Sequence, residues 1–224
     1  MSPVRLLLAH ICILSAPLLA LSAAPAPGRC TANQDLGRQT RMTHLTAVVR
    51  IVDGVATTTL RQTLRNDGSQ PTEAVWLLPL PEGAVADEFR MRVGGVSIAS
   101  DVLAADEARG VYEGIVRRSR DPGLLEYTGR GCLRARVFLI PPEKDVLVEV
   151  TFRQVLPERA GQRRWSFPLA ASGVGGLAPE DVVLDLSIES RRTIQNAFAP
   201  ISGIEVLQKG DHEVRASCSS WATR

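Results

Sequence analysis

The segment EFRMRVGGVSIASDV, residues 88–102, sets the pattern on which most of the chain is built. Apolar side chains at Phe89, Met91 and Val93 alternate with two arginines, and this period of two is typical of a strand with one buried and one solvated face. Gly94-Gly95 supplies residues that tolerate the positive φ angles of a tight turn, and a second strand follows. The segment therefore predicts a β-hairpin.

The same alternation recurs along the rest of the chain. Asp53-Gly54 lies between two such runs and predicts a tight hairpin turn, because a type I′ turn needs two residues that accept positive φ. The further predicted strands are residues 45–51, 56–64, 73–78, 133–139, 146–153, 163–169, 182–188, 204–207 and 213–218.

One segment breaks this rhythm. Between Ala104 and Arg118, apolar residues recur at helical spacing, and Tyr112 is the expected anchor of the helix in the core. Acidic residues in its first turn and arginines in its last suit the helix dipole. Roughly ten strands and one α-helix inserted at about 104–118 predict a mainly β fold, either an antiparallel β-sandwich or a barrel-like architecture.

The N-terminus has the pattern of an export signal. Arg5 precedes an apolar stretch at residues 6–21, and small residues follow. We expect residues 1–26 to be a signal peptide and residues 27–42 to be a polar lead of a chain exported to the periplasm, the cell surface or the medium. No second apolar run is long enough to cross a bilayer, so no stable membrane span is expected after signal removal.

Charge and cysteine content narrow the function classes. The formal net charge is only +2 and no basic cluster stands out, so nucleic-acid binding is not expected. Signal removal would leave Cys30, Cys132 and Cys218, of which two can pair in an oxidising compartment; three buried free thiols are the alternative. The cysteines are scattered singly, without the close ligand pairs of zinc sites, so neither a metal nor another cofactor is expected.

A set of residues between positions 43 and 169 stands in a distinctive order. The set comprises Pro79, Pro81, Phe89, Met91, Gly95, Ala108, Tyr112, Leu125, Glu126, Pro141, Pro142 and Phe152. In this order and spacing the chain resembles the VIT domain, the vault protein and inter-alpha-trypsin inhibitor module, in a form like those of bacterial exported proteins. The resemblance implies a domain core over residues 43–170, a structural role for these residues, and further strands in residues 171–224 that complete or extend it.

The resemblance also implies a continuation. Relatives of this kind usually continue into a von Willebrand factor type A domain, whose metal site begins with a D-x-S-x-S loop, and a chain of 224 residues is too short to include it. We expect either a shortened gene product or a free-standing module. Residues 185–189, Asp-Leu-Ser-Ile-Glu, come nearest to that loop, but their alternating apolar residues indicate a plain strand. Glu143 stands where the family often has glycine, which alters a turn.

Few residues could carry catalysis. Beyond the signal there are only two histidines, His44 and His212, and no G-x-S-x-G elbow, so we expect no catalytic residue and no enzyme. Four arginines, Arg90, Arg92, Arg134 and Arg136, could form a patch for carboxylates or sulfates if their strands are neighbours. A solvated face balanced by nearby acidic residues is the simpler interpretation.

These observations predict an exported, non-catalytic VIT-domain protein that acts as a protein-interaction or scaffold module, whose partner is another protein or a missing type A domain. The alternative is an extracellular adhesion or acidic-polysaccharide-binding β-sandwich. That alternative needs an exposed aromatic platform, and Trp76 and Trp165 lie in apolar strands where burial is expected.

Overall fold

The computed structural model describes residues 9–14, 40–93, 96–100, 103–104, 125–127, 131–167, 179–200 and 203–219. Sixteen strands and no helix are found in these ranges. The strands are β1 (Ala9–Leu14), β2 (Thr40–Val52), β3 (Val55–Asn66), β4 (Thr72–Pro79), β5 (Val85–Val93), β6 (Val96–Ser100), β7 (Leu103–Ala104), β8 (Leu125–Tyr127), β9 (Cys132–Ile140), β10 (Asp145–Val155), β11 (Glu158–Arg159), β12 (Gln162–Phe167), β13 (Asp181–Glu189), β14 (Asn196–Phe198), β15 (Glu205–Lys209) and β16 (Glu213–Cys218).

The largest sheet has eight strands in the order β15-β16-β13-β2-β3-β10-β5-β6. Burial alternates along its central strands, so that in β2 Leu45, Ala47, Val49 and Ile51 are buried while the residues between them are wholly or partly exposed. This sheet therefore has one inner face that contributes to the core and one outer face in contact with solvent, as the alternating sequence predicts.

Two four-stranded sheets complete the described part, in the orders β4-β9-β8-β7 and β11-β12-β1-β14. Two aromatic contacts join them to the large sheet. Trp76 in β4 lies 5.7 Å from Phe89 in β5, measured between ring centroids, and Phe152 in β10 lies 6.0 Å from Phe167 in β12. The Trp76 indole N–H also donates to the side-chain carbonyl of buried Gln62. All three sheets thus pack around shared apolar contacts.

The predicted turns are present. Asp53 and Gly54 both have positive φ, at 49° and 87°, as the two central residues of a type I′ turn require. In the turn between β9 and β10, the Lys144 N–H donates to Pro141 O and Glu143 has a φ of 56°. These are the features of a type II turn with Pro142 before a left-handed residue. The glutamate that replaces the family's glycine therefore occupies the position where glycine fits best.

Most of the described strand pairs are antiparallel, as the sequence predicts, but two are not. β13 runs parallel to β2 over nine residue pairs, from Asp181 opposite His44 to Glu189 opposite Val52, and the short strands β7 and β8 are also parallel. Parallel neighbours need a long connection rather than a hairpin, and β13 follows β2 in the chain only after residues 53–180. The mainly β prediction is confirmed, but the sheets are mixed.

Two further predictions concern the helix near the middle of the chain and the signal peptide at its N-terminus. The helix expected at about 104–118 lies outside the described residues, except that Ala104 belongs to strand β7. Residues 9–14, inside the predicted signal peptide, form strand β1. A short apolar segment can serve either as the core of a signal or as a strand, so composition did not reveal this pairing.

Candidate functional site

The four arginines of the predicted patch are divided between two sheets. Arg90 and Arg92 lie on β5 in the large sheet, whereas Arg134 and Arg136 lie on β9, and the two strands are not hydrogen-bonded neighbours. Arg90 and Arg92 project from the outer face, since their neighbours Phe89 and Met91 are buried, and Arg134 lies between two buried residues of β9. The adjacency on which the patch hypothesis depended is not met.

Arg90 is also neutralised locally. Its guanidinium lies 3.1 Å from a Glu88 carboxylate oxygen and 3.9 Å from a Glu149 oxygen. Arg134 of β9 stands directly opposite Glu126 of β8 in the strand register. The positive charges therefore alternate with negative ones instead of forming a field of one sign.

The two histidines lie at opposite ends of the sheet. His44 pairs with Asp181 at the start of β13, whereas the His212 ring Nδ1 lies 3.0 Å from the carbonyl oxygen of Ser190, just beyond its end. The nine residues of β13 separate these two sites by roughly 30 Å at the usual rise per residue. They cannot share a reaction site. The described ranges contain no group of three potential metal ligands.

The residues 185–189 form part of a strand, as predicted. β13 runs from Asp181 to Glu189, and Leu184, Leu186 and Ile188 are buried. Trp76 and Trp165 are buried at 0% and 1% exposure, so neither offers a flat aromatic platform to a sugar.

The outer face of the large sheet is a broad surface of threonine, valine and paired charges. Thr59 on β3 and Thr151 on β10 face each other, with their hydroxyl oxygens 3.0 Å apart. Ion pairs cross the face from strand to strand: Arg50 with Glu189, Arg61 with Glu149 and Arg153 with Asp87. Such exposed pairs contribute little to stability. They neutralise charge on this face, so that its exposed apolar residues remain without a partner on it.

Four of these exposed apolar residues gather at the tip of the β2–β3 hairpin. Val52 stands opposite Val55, Val55 stands opposite Val155, and Val85 is diagonal to Val155 through the pairing of Arg153 with Val85. Their exposed fractions are 38% for Val52, 42% for Val55, 65% for Val85 and 69% for Val155. We call these four residues the valine cluster. Exposed apolar side chains in one contiguous group mark contact surfaces more often than isolated ones do.

Charged side chains, which we call the charged ring, lie beside the turn of the same hairpin. Asp53 in the turn accepts hydrogen bonds from the backbone N–H and from Nε of Arg191, at 2.9 and 2.7 Å. Glu158 accepts from Arg163 at 3.0 Å and from Arg192 at 3.1 Å. These residues line a cavity of about 310 Å³ beside the hairpin tip. The Arg191 and Arg192 side chains are 88% and 77% exposed, so most of each remains open to solvent.

The hydrogen bonds around Asp53 also affect its ionisation. The Arg191 backbone N–H, assisted by the guanidinium of the same residue, holds the pKa of Asp53 below its ordinary value. At the other end of the sheet, the Arg41 side chain does the same to the pKa of Asp67, and it also pairs with Glu180. Both carboxylates are therefore charged at neutral pH and fix loops that join different strands.

The sequence did not point to the valine cluster, although it held a signal for it. Ile51 and Val52 are consecutive apolar residues at a strand end, and so are Val155 and Leu156. Because successive strand residues face opposite sides, one member of each pair must face outward, and these are Val52 and Val155. Alternation along one strand identifies such an outward residue but does not show which residues of other strands it meets.

The cysteines have distinct states. Cys132 is disulfide-bonded, whereas Cys218 is a buried free thiol whose pKa is raised, first by desolvation and then by the nearby Asp181 charge. The alternative in which all three thiols are free is therefore not met in this structure. Within the described ranges, no helix is long and apolar enough to cross a bilayer.

Three comparisons relate this chain to known proteins. Residues 42–152 match the family model described as the vault protein inter-alpha-trypsin domain, VIT. Two curated relatives, the protein mono-ADP-ribosyltransferase PARP4 of Mus musculus and of Homo sapiens, are each 27% identical over 103 residues, or 46% of this chain. The match spans only 5% and 6% of those proteins, respectively.

Among solved structures, the M1 zinc metallopeptidase of Deinococcus radiodurans has a TM-score of 0.42 with 8% identity, and the match covers 83% of this chain and 40% of that one. A mutant form of that enzyme has a TM-score of 0.44 with 7% identity, covering 82% of this chain and 39% of the other. Similarity at this level does not establish a common fold.

Proposed function

Since residues 42–152 of this chain are a VIT domain, we propose that the chain is an exported bacterial protein-interaction module without catalytic activity. Its partner is another protein, which it contacts through the valine cluster and the charged ring. The single observation that carries the proposal is the contiguous group of four exposed valines, at 38% to 69% exposure, at one corner of the sheet face. Burying them against a partner removes apolar surface from water, the main driving force of association.

The composition of the site suits protein recognition. Interface centres are enriched in apolar residues and arginine, and their rims are polar. The valines would form such a centre, and Arg191 and Arg192 stand beside them with most of their surface exposed. Arginine pairs with carboxylates in fork geometry, so the partner's matching surface would be apolar with acidic residues at its border.

Export rests on two independent features. The N-terminal segment has the charged, apolar and small-residue regions of a signal peptide. The disulfide at Cys132 agrees with an oxidising compartment, because such bonds rarely persist in the cytosol. The periplasm, the cell surface and the medium all meet this condition.

We also infer that the sheets form a sandwich and not a closed barrel. In the described strands, the large sheet ends at β15 on one side and at β6 on the other, and these two strands are not paired with each other. A closed barrel would need its first and last strands to pair.

Quantitative co-purification from the producing cell tests the interaction. A tagged full chain is compared with a variant carrying Val55→Glu and Val155→Glu, which place two charges in the valine cluster. A control variant carries Thr46→Glu and Ser187→Glu, which add the same charge elsewhere on the outer face. We expect one or a few proteins to co-purify with the wild type and with the control. Their recovery should fall at least about tenfold with the valine variant, which corresponds to about 1.4 kcal/mol of binding free energy.

Equal recovery of all partners with the two variants would overturn the proposed site. Binding to a heparin column in physiological salt, lost when Arg90 and Arg92 are changed to serine, would favour the polysaccharide alternative. Thermal unfolding of each variant shows that any loss of binding does not follow from a loss of folding.

A further inference from the structure

Strand β1 lies in the middle of a sheet although it belongs to the segment that export would remove. It pairs with all six residues of β12, from Ala9 opposite Phe167 to Leu14 opposite Gln162, and its last three residues pair with β14. The order is β11-β12-β1-β14, and among the described strands no other one connects β12 with β14. Removal of residues 1–26 would therefore leave an open gap with an unpaired edge on each side.

We propose that this gap is a strand-acceptor site, formed by the facing edges of β12 and β14, which takes up an extended apolar segment of a partner protein. The inference rests on the export part of the proposed function. A strand that adds to open edges satisfies their backbone N–H and C=O groups, and pockets along the edge select its side chains. β1 occupies the site in the uncleaved chain and shows the direction and length of segment that fit, six residues antiparallel to β12.

The edges would be costly to leave open. Backbone groups of an unpaired edge are a template for pairing with another chain, and proteins usually shorten, charge or cover such edges. β12 is instead anchored in the core: Trp165 is 1% exposed and Phe167 is 0% exposed. A strand held by two buried aromatic residues keeps its edge in place after β1 has gone, so the β12 side of the site stays formed.

The occupant is best supplied by another protein. Two segments of the exported chain are near enough in sequence to compete, residues 27–39 and residues 168–178. The first is largely polar, and the second begins with a proline and contains three glycines. Both compositions are poor for strands, whereas the AHICIL segment of β1 is mainly apolar and contains two isoleucines.

The charge of β12 refines the chemistry of the occupant. Arg164 is exposed and stands opposite position 12 of β1, and its neighbour Arg163 is already bound to Leu156 O at 3.0 Å and to Glu158. Opposite charges directly across two strands contribute about 0.2–1 kcal/mol. The preferred segment therefore has apolar residues around an acidic one that faces Arg164.

The experiment uses the chain as the cell exports it. Intact mass first establishes the N-terminus of the purified protein. The probe is a peptide with the sequence of residues 8–15 and Cys12→Ser, and hydrogen exchange is followed by mass spectrometry with and without it. We expect saturable binding that slows exchange in residues 162–167 and 196–198 and leaves residues 205–218 unchanged.

Three further peptides identify the mode of binding. Replacing Ile11 with proline removes a backbone donor from the added strand, and we expect at least about tenfold weaker binding. Cys12→Glu should bind up to about fivefold more tightly than Cys12→Lys, the factor that corresponds to about 1 kcal/mol across one strand pair. In the variant Arg164→Ala this preference should disappear.

The outcomes separate the two proposals. An exported chain that keeps residues 9–14 would show that the gap stays filled by its own strand, and both signal cleavage and the acceptor site would then be wrong. A cleaved chain without peptide-dependent protection at 162–167, or with those amides already protected by residues 27–39 or 168–178, would overturn the acceptor site alone.

Discussion

At the tip of the β2–β3 hairpin, Gly54 and Arg163 share a space that an additional side chain would fill. Gly54 has a φ of 87°, and a Cβ atom built there would lie 1.8 Å from Arg163 Nη1. Arg163 donates from that atom to Leu156 O at 3.0 Å, and its other terminal nitrogen pairs with Glu158. The glycine therefore permits both the turn and the approach of the arginine that forms one wall of the cavity.

A comparison of two glycines separates these roles. Gly210 also has a positive φ, 72°, but a Cβ atom there would meet nothing within 4 Å. We expect Gly210→Ala to cost about 1–2 kcal/mol of unfolding free energy, the cost of the left-handed backbone alone. Gly54→Ala should cost about 1 kcal/mol more, because Arg163 must give up hydrogen bonds.

Urea unfolding measures both values. In an Arg163→Ala background, the two glycine substitutions should lower the free energy of unfolding by the same amount, within about 0.5 kcal/mol. A persistent difference in that background would show that Arg163 is not what makes Gly54 special.

The pH dependence of stability tests the bond between Asp53 and Arg191. Because the folded state holds the pKa of Asp53 below its unfolded value of about 3.9, this carboxylate stabilises the fold above that pH and ceases to do so as the pH falls through the folded pKa. We expect the wild type to lose more stability between pH 5 and pH 3 than Asp53→Asn does, as measured by the urea midpoint. Equal losses would contradict the assigned interaction.

At the scale of elements, local sequence determined the strands but not all their partners. Alternation located β2, β3, β5, β10 and β13 to within a few residues, because each has one buried face and therefore a clear period of two. The parallel partnership of β13 with β2 depends on a crossover that local pattern does not encode. Strand β1 was not predicted as a strand, since its apolar composition suits a signal equally well, and the valine cluster arises only when the ends of four strands meet.

Strand β13 makes the C-terminal part integral to the fold, although the family match ends at residue 152. Leu186 is 0% exposed and lies between β2 and β16, opposite Val49 and Ala216. Leu186→Ala should lower the free energy of unfolding by about 2–5 kcal/mol. The adjacent exposed Asp185 is the control, and Asp185→Ala should change stability by less than about 0.5 kcal/mol.

Denaturant unfolding followed by tryptophan fluorescence is the measurement, because Trp76 and Trp165 lie outside β13 and report on the rest of the core. If Leu186→Ala left their transition unchanged, β13 would be a separate unit attached to the VIT domain and not a part of its sheet.

The described part of the molecule combines a buried apolar core with an outer sheet face on which many charges are paired and the valine cluster is uncovered. The histidines lie at opposite ends of a nine-residue strand, and the arginines that sequence grouped together are distributed over two sheets. Among the described residues, the outer face therefore presents an apolar corner with arginines nearby. We propose that a partner docks there.

Site-specific photocrosslinking in the producing cell tests this docking claim most directly. A photoreactive amino acid replaces Val155 in the valine cluster or, as the control, Arg215, an exposed residue on the same outer face. We predict a discrete crosslinked species from position 155 that is absent from position 215 and is lost when Val55→Glu is added. No adduct from position 155, or the same adduct from both positions, would contradict the account.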